Sequence, residues 1–172
     1  MKAGRTIEAM LQELVRQSAA KEDYLVNTSC LVMEADGSAP TLRMAGREEV
    51  QLSPLGIRDT AHQQIGAYLG IPAKYYGKML TEDTELLAYN VNRWFQRNPE
   101  QRMLRTIDGH ARAFLSNRYR RIENLDIARF TLPRLAELDG ARVESCEVTE
   151  DRMYIKVVNP RLQAEVVPGD VV

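Results

Sequence analysis

Cysteine is scarce in this 172-residue chain: Cys30 and Cys146 stand alone and form no CxxC pair. That excludes a disulfide-stapled scaffold and a cysteine zinc site of the usual spacing. Both are expected to be small apolar side chains within strands. No apolar run is long enough to span a bilayer, and nothing resembles a secretory leader. The expectation is a soluble, reduced, cytoplasmic protein without membrane partners. Histidine is equally rare. His62 and His110 fall on different elements without zinc-ligand spacing, and His62 reads as a helix-surface or packing residue. There is no GxGxxG, HExxH or GxSxG, and Gly70 to Lys78 reads G-x6-GK followed by Met79. A phosphate-cradling loop needs four intervening residues and a following hydroxyl, so that site is excluded too. The acids around Glu144, Glu147, Glu150 and Asp151 read as a solvated hairpin tip. No cofactor, metal or catalytic group is expected.

What is present is an ordinary globular composition, 44% hydrophobic and 27% charged, in a length that suits a single domain. Ile7, Met10, Leu11, Leu14 and Val15 form one helical stripe that must dock on something. Tyr24 to Glu34 reads as extended, with a turn at Asp36-Gly37, and Thr41 to Met44 and Val50 to Leu52 complete a meander. A helical block follows Ser53-Pro54. Asp59 to Leu69 closes at Gly70, Pro72 starts a second helix, and Thr81 caps a third. The third helix buries Leu86, Leu87, Asn90, Val91, Trp94 and Phe95 and ends at Asn98-Pro99. Asp108-Gly109 joins the strands Met103 to Ile107 and His110 to Leu115 as a tight hairpin. Asn124 caps a last helix that ends at Gly140 and is expected to kink or break near Leu132, before Pro133. A second hairpin pairs Val143 to Val148 with Met153 to Val158 around Glu150-Asp151. The class is α+β, one domain over 1–172, with a helix and meander over 1–52 and a core over 53–172 whose hairpins form an antiparallel sheet. Ending on Val171-Val172, apparently in mid-strand, predicts a truncated chain.

The near-neutral net charge of −1 hides an uneven distribution. Between Arg93 and Arg121 lie eight arginines and two acids, and no lysine. Arginine suits planar, bidentate contacts to phosphate or carboxylate. With a two-residue hairpin loop, Arg105 faces Arg112 across the strands, and like charges so placed repel. Three sources of compensation are open: internal acids, nucleic-acid phosphate, or a small anion. The run Ser116-Asn117-Arg118-Tyr119-Arg120-Arg121 interleaves arginine with an aromatic, as single-strand binders do.

Leu69-Gly70-Ile71-Pro72-Ala73-Lys74-Tyr75-Tyr76, then Asn90-Val91-Asn92-Arg93-Trp94, then Arg112-Ala113-Phe114-Leu115-Ser116-Asn117-Arg118-Tyr119-Arg120 resemble the phage- and plasmid-borne family catalogued as domain of unknown function 932. The resemblance covers roughly residues 50 to 172. It implies no defined activity. It implies residence on a mobile element, hence DNA metabolism, recombination or evasion of host defence, and a chain that continues past Val172. In the middle block, an amide at Asn90 on an apolar face needs a partner, either the neighbouring hairpin or a ligand.

The leading expectation is a non-enzymatic protein that binds nucleic acid, preferring single-stranded DNA, through Arg105, Arg112, Arg118, Tyr119, Arg120 and Arg121. The alternatives are a protein-interaction or anti-defence module docking through the N-terminal helix, and an enzyme whose site is completed beyond Val172.

Overall fold

The structure, a computed structural model, describes residues 4–36, 39–45, 53–149, 152–161, 165–167 and 170–171. In chain order the elements are α1 (Ile7–Ala20), β1 (Lys21–Asn27), β2 (Leu31–Glu34), β3 (Thr41–Met44), β4 (Leu55–Ile57), α2 (Asp59–Tyr68), α3 (Ala73–Glu82), α4 (Thr84–Arg97), β5 (Gln101–Ile107) and β6 (His110–Ser116). Then follow α5 (Asn124–Glu137), β7 (Arg142–Val148), β8 (Met153–Val158), β9 (Glu165–Val167) and β10 (Asp170–Val171). The class is α+β. The chain packs as two units, one of residues 20–120 and one of residues 1–19 with 121–172. Among the described residues no helix is long and apolar enough to cross a membrane.

Residues 20–120 build a six-stranded sheet in the order β1-β5-β6-β4-β3-β2. The sheet is mixed rather than antiparallel, because β4 runs parallel to β6. Leu55–Ile57 was not anticipated as a strand, since it falls where the helical block was expected to begin. The run expected as one extended segment from Tyr24 to Glu34 is broken by a 3₁₀ turn at Thr28–Cys30, where Asn27 accepts from the Ser29 N–H. Cys30 therefore lies in a turn, not a strand. The two halves diverge to opposite edges of the sheet: β1 pairs with β5 and β2 pairs with β3. The expected strand Val50 to Leu52 and the Asp36-Gly37 turn include residues outside the described ones.

The helices pack on this sheet over Leu31, Met33, Leu42, Ile65, Leu87, Val91, Phe95, Leu104 and Phe114. Phe95 and Phe114 stack with centroids 5.8 Å apart, and Tyr68 meets Phe114 edge-on at 5.5 Å. Each such pair adds about 0.5–1.5 kcal/mol to its burial. Gly70 closes α2 at φ +68, and Pro72 stands at the start of α3 as its residue type suggests. Thr81 does not cap α4. It lies inside α3, its hydroxyl bonded back to Gly77 and Lys78 carbonyls, while Asp83 accepts from the Leu86 N–H at 2.9 Å. Two good capping residues two apart compete here, and the one outside α3 wins. The buried face of α4 is Leu87, Ala88, Val91 and Phe95, so Leu86 and Trp94 are half-exposed rather than core. The amide that ties α4 to a strand is Asn92, which both donates to the Met33 carbonyl and accepts from the Met33 N–H, each at 2.8 Å. Asn90 instead donates to the Leu86 carbonyl one turn back, and its Nδ2 also lies 3.3 Å from the Met79 sulfur.

The other unit is built from both ends of the chain. The α1 stripe is covered by its own chain: Met10 and Leu14 are buried with Leu125, Ala128, Cys146 and Val148. Of the stripe, Val15 stays 52% exposed. Here β7 and β8 form a separate two-stranded antiparallel sheet, so the two hairpins do not share one sheet. The turn residues Glu150 and Asp151 lie outside the described residues. The helix α5 runs unbroken through Pro133, whose missing N–H only removes a bond to the Arg129 carbonyl one turn earlier. Glu123, not Asn124, occupies its N-cap position, without a capping side-chain bond. Gly140 follows at φ +79.

Candidate nucleic-acid interface

The hairpin that organises the arginines forms as its turn dictates. Asp108 and Gly109 both take positive φ, 49 and 73, the geometry of a two-residue turn that matches strand twist. Ile107 pairs with His110, but the register then shifts, and Arg105 pairs with Ala113. The expected face-to-face placement of Arg105 and Arg112 does not occur. A β-bulge inserts Arg112 as an extra residue and carries it out of line with Arg105. The compensation for Arg105 is internal: on its other side β1 places Asp23 directly opposite, and Nε donates to the carboxylate at 3.0 Å. Both side chains are only 7% exposed.

Arg102 is also turned inward. Its guanidinium lies 4.4 Å from the centre of the Tyr68 ring and 5.1 Å from that of Phe114, with Glu100 at 4.0 Å. Arg112 is half-buried and makes interactions of its own. Arg121 is exposed, begins the other unit and is likewise engaged. Arg118, Tyr119 and Arg120 form one exposed run directly after β6, where the Tyr119 N–H donates to the Ser116 carbonyl in a turn. Among the described residues no carboxylate pairs with Arg118 or Arg120, and Tyr119 is 39% exposed.

A second pair of exposed arginines comes from α4. Ser116 pairs with Arg102, so the run after β6 leaves the sheet at the end where α4 enters β5 through Asn98, Pro99 and Glu100. That end carries Arg97, whose guanidinium lies 5.3 Å from the centre of the Trp94 ring, with Arg93 one turn back. Trp94 is 38% exposed. Half-exposed aromatics beside solvated arginines can stack bases and neutralise phosphates. Of the six residues expected at the interface, Arg118, Tyr119 and Arg120 come together; Arg105 is withdrawn into an ion pair. Arg93, Trp94 and Arg97 were missed, although the i, i+1, i+4 spacing of those three was available as a signal.

A second feature adjoins His62, expected from sequence as a helix-surface or packing residue. His62 is a packing residue, 6% exposed, and its Nδ1 meets the Tyr76 hydroxyl at 2.9 Å. Burial pushes the Tyr76 phenol well up and pulls the imidazole below its ordinary value of 6.5, with the Asp59 carboxylate acting the other way. Both residues line a cavity of about 510 Å³ between α2 and α3. The imidazole has a lower pKa folded than unfolded, so between those two values the unfolded chain binds more protons. Its contribution is therefore complete above pH 6.5 and declines as pH falls toward the folded value. The slope it adds is at most about 1.4 kcal/mol per pH unit. Urea unfolding at a series of pH values should show this decline, and His62→Gln should flatten it; an unchanged slope would refute a neutral, buried imidazole.

No protein-family model, curated protein or solved structure matches this chain. The resemblance drawn from the three sequence blocks rests on those residues alone.

Proposed function

We propose that this protein binds single-stranded nucleic acid without acting on it, Arg118 and Arg120 holding phosphates and Tyr119 stacking on a base. One observation carries the reading: two exposed arginines with no carboxylate partner among the described residues flank a half-exposed tyrosine. Trp94 and Arg97 at the same end of the sheet extend the surface. The sequence blocks that resemble a phage- and plasmid-borne family make DNA of a mobile element the expected partner.

Anisotropy titration with a labelled single-stranded oligonucleotide at several salt concentrations tests this. Each phosphate contact contributes a slope of about −0.7 in log affinity against log salt, so three to four contacts give about −2 to −3. Arg118→Ala should remove about 0.7 of that slope. Tyr119→Ala should weaken binding by about 1–3 kcal/mol and leave the slope nearly unchanged, since stacking releases few ions. Absence of single-strand binding at low salt by the folded protein would overturn the reading.

A further inference from the structure

The cavity between α2 and α3 has the volume of a small-ligand site, and three of its features exceed what packing requires. The first is Gly77. It sits within α3, where glycine weakens a helix relative to alanine, yet a Cβ added there would meet nothing within 4 Å. Gly66 on the facing helix is different, because a Cβ there would lie 2.9 Å from the Tyr76 ring. Gly77 answers to no neighbour. It keeps the cavity open at the expense of its own helix.

The second feature is His62. Among the described residues the Tyr76 hydroxyl has no acceptor other than Nδ1, so it donates there and the neutral ring carries its proton on Nε2. That N–H belongs to a buried side chain lining the cavity and has no acceptor among the described residues. It opens into the cavity, where water or a ligand accepts from it. The third is the distribution of charge. Asp59, one turn before His62 on α2, puts a carboxylate on the lining, whereas no lysine or arginine contributes to it. Ala67, Ile71 and Leu80 make much of the remaining wall apolar, and Gln63 adds an uncharged amide.

We propose that this cavity binds a small, uncharged, planar molecule presenting a hydrogen-bond acceptor beside an N–H donor, the edge of a primary carboxamide or of an amino-substituted heterocycle. The acceptor takes the His62 N–H, the donor meets Asp59, and the ring lies over Gly77 against Ile71 and Leu80. A carboxylate ligand is disfavoured by Asp59. This site stands apart from the arginine surface and does not depend on nucleic-acid binding.

The test is an NMR titration of the full chain with benzamide, adenine and benzoate. Benzamide, adenine or both should shift the backbone amides of α2 and α3 saturably, with a Kd of about 1 mM or tighter, and benzoate should bind at least about tenfold more weakly. Tighter binding of benzamide assigns the carboxamide, and tighter binding of adenine the heterocycle. Gly77→Leu fills the cavity from a position where an added Cβ meets nothing within 4 Å; it should raise Tm while weakening the better probe at least about tenfold. Asp59→Ala, at an exposed position, should weaken it similarly with Tm little changed. The proposal fails if neither probe saturates, if benzoate binds equally well, or if the variants that fold bind like the parent.

Discussion

Asp23→Ala should destabilise the protein by about 3–5 kcal/mol, the largest effect expected of any single charge removal here. The Arg105 guanidinium it leaves behind sits at the β1–β5 pairing, 7% exposed, and cannot reach water without disturbing β1 or β5. Arginine does not escape by losing its proton, so the cost of burying the cation without Asp23 falls on the folded state. Replacing both partners together, Asp23→Leu with Arg105→Met, should recover most of the loss, because an apolar pair removes the desolvation penalty along with the attraction. Urea unfolding of the two single variants and the double variant closes the cycle. A single-variant loss below about 1 kcal/mol would mean that the pair is solvated, contrary to its burial.

The second large effect is expected at Asn92. Strand β2 is an edge of the sheet, and its Met33 is 1% exposed, so the outward N–H and C=O of that residue have no water to satisfy them. The Asn92 side chain supplies both partners, acting as a one-residue substitute for a further strand. Asn92→Leu strands a buried donor and a buried acceptor, at about 1–3 kcal/mol each, for an expected loss of about 2–6 kcal/mol. Asn92→Asp keeps the acceptor alone and should fall between. Hydrogen exchange at the Met33 amide gives a local check: protection should drop in the leucine variant and persist in the aspartate variant. Uniform exchange in all three would remove the bidentate role.

Features written in neighbouring residues were legible before the fold was seen. The α1 stripe, Gly70 closing α2, and Asp108-Gly109 joining β5 to β6 all depend on chain segments a few residues long. Features that depend on distant residues were not. Asp23 and Arg105 are 82 positions apart, and only the β1–β5 pairing brings them opposite. The bulge at Arg112 is one extra residue in an otherwise regular alternation, invisible until the register of β5 and β6 is known. Trp94 sits on the helical period of the core and was read as buried, yet the period cannot say where the neighbouring elements end. Among the candidate interface residues, Arg118-Tyr119-Arg120 stood out by residue type. The cavity beside His62 did not, since glycine and alanine on two separate helices define it by leaving space.

The unit assembled from both chain ends has a kinetic consequence during synthesis. The apolar stripe of α1 emerges well before its covering residues, Leu125, Ala128, Cys146 and Val148. At about 5–20 residues per second the interval is on the order of 10 s. Residues 20–120, with a core of their own, complete their translation within that interval. Until β7 is made, Met10 and Leu14 are an uncovered hydrophobic strip on a nascent polypeptide, the kind of surface that ribosome-associated chaperones shield.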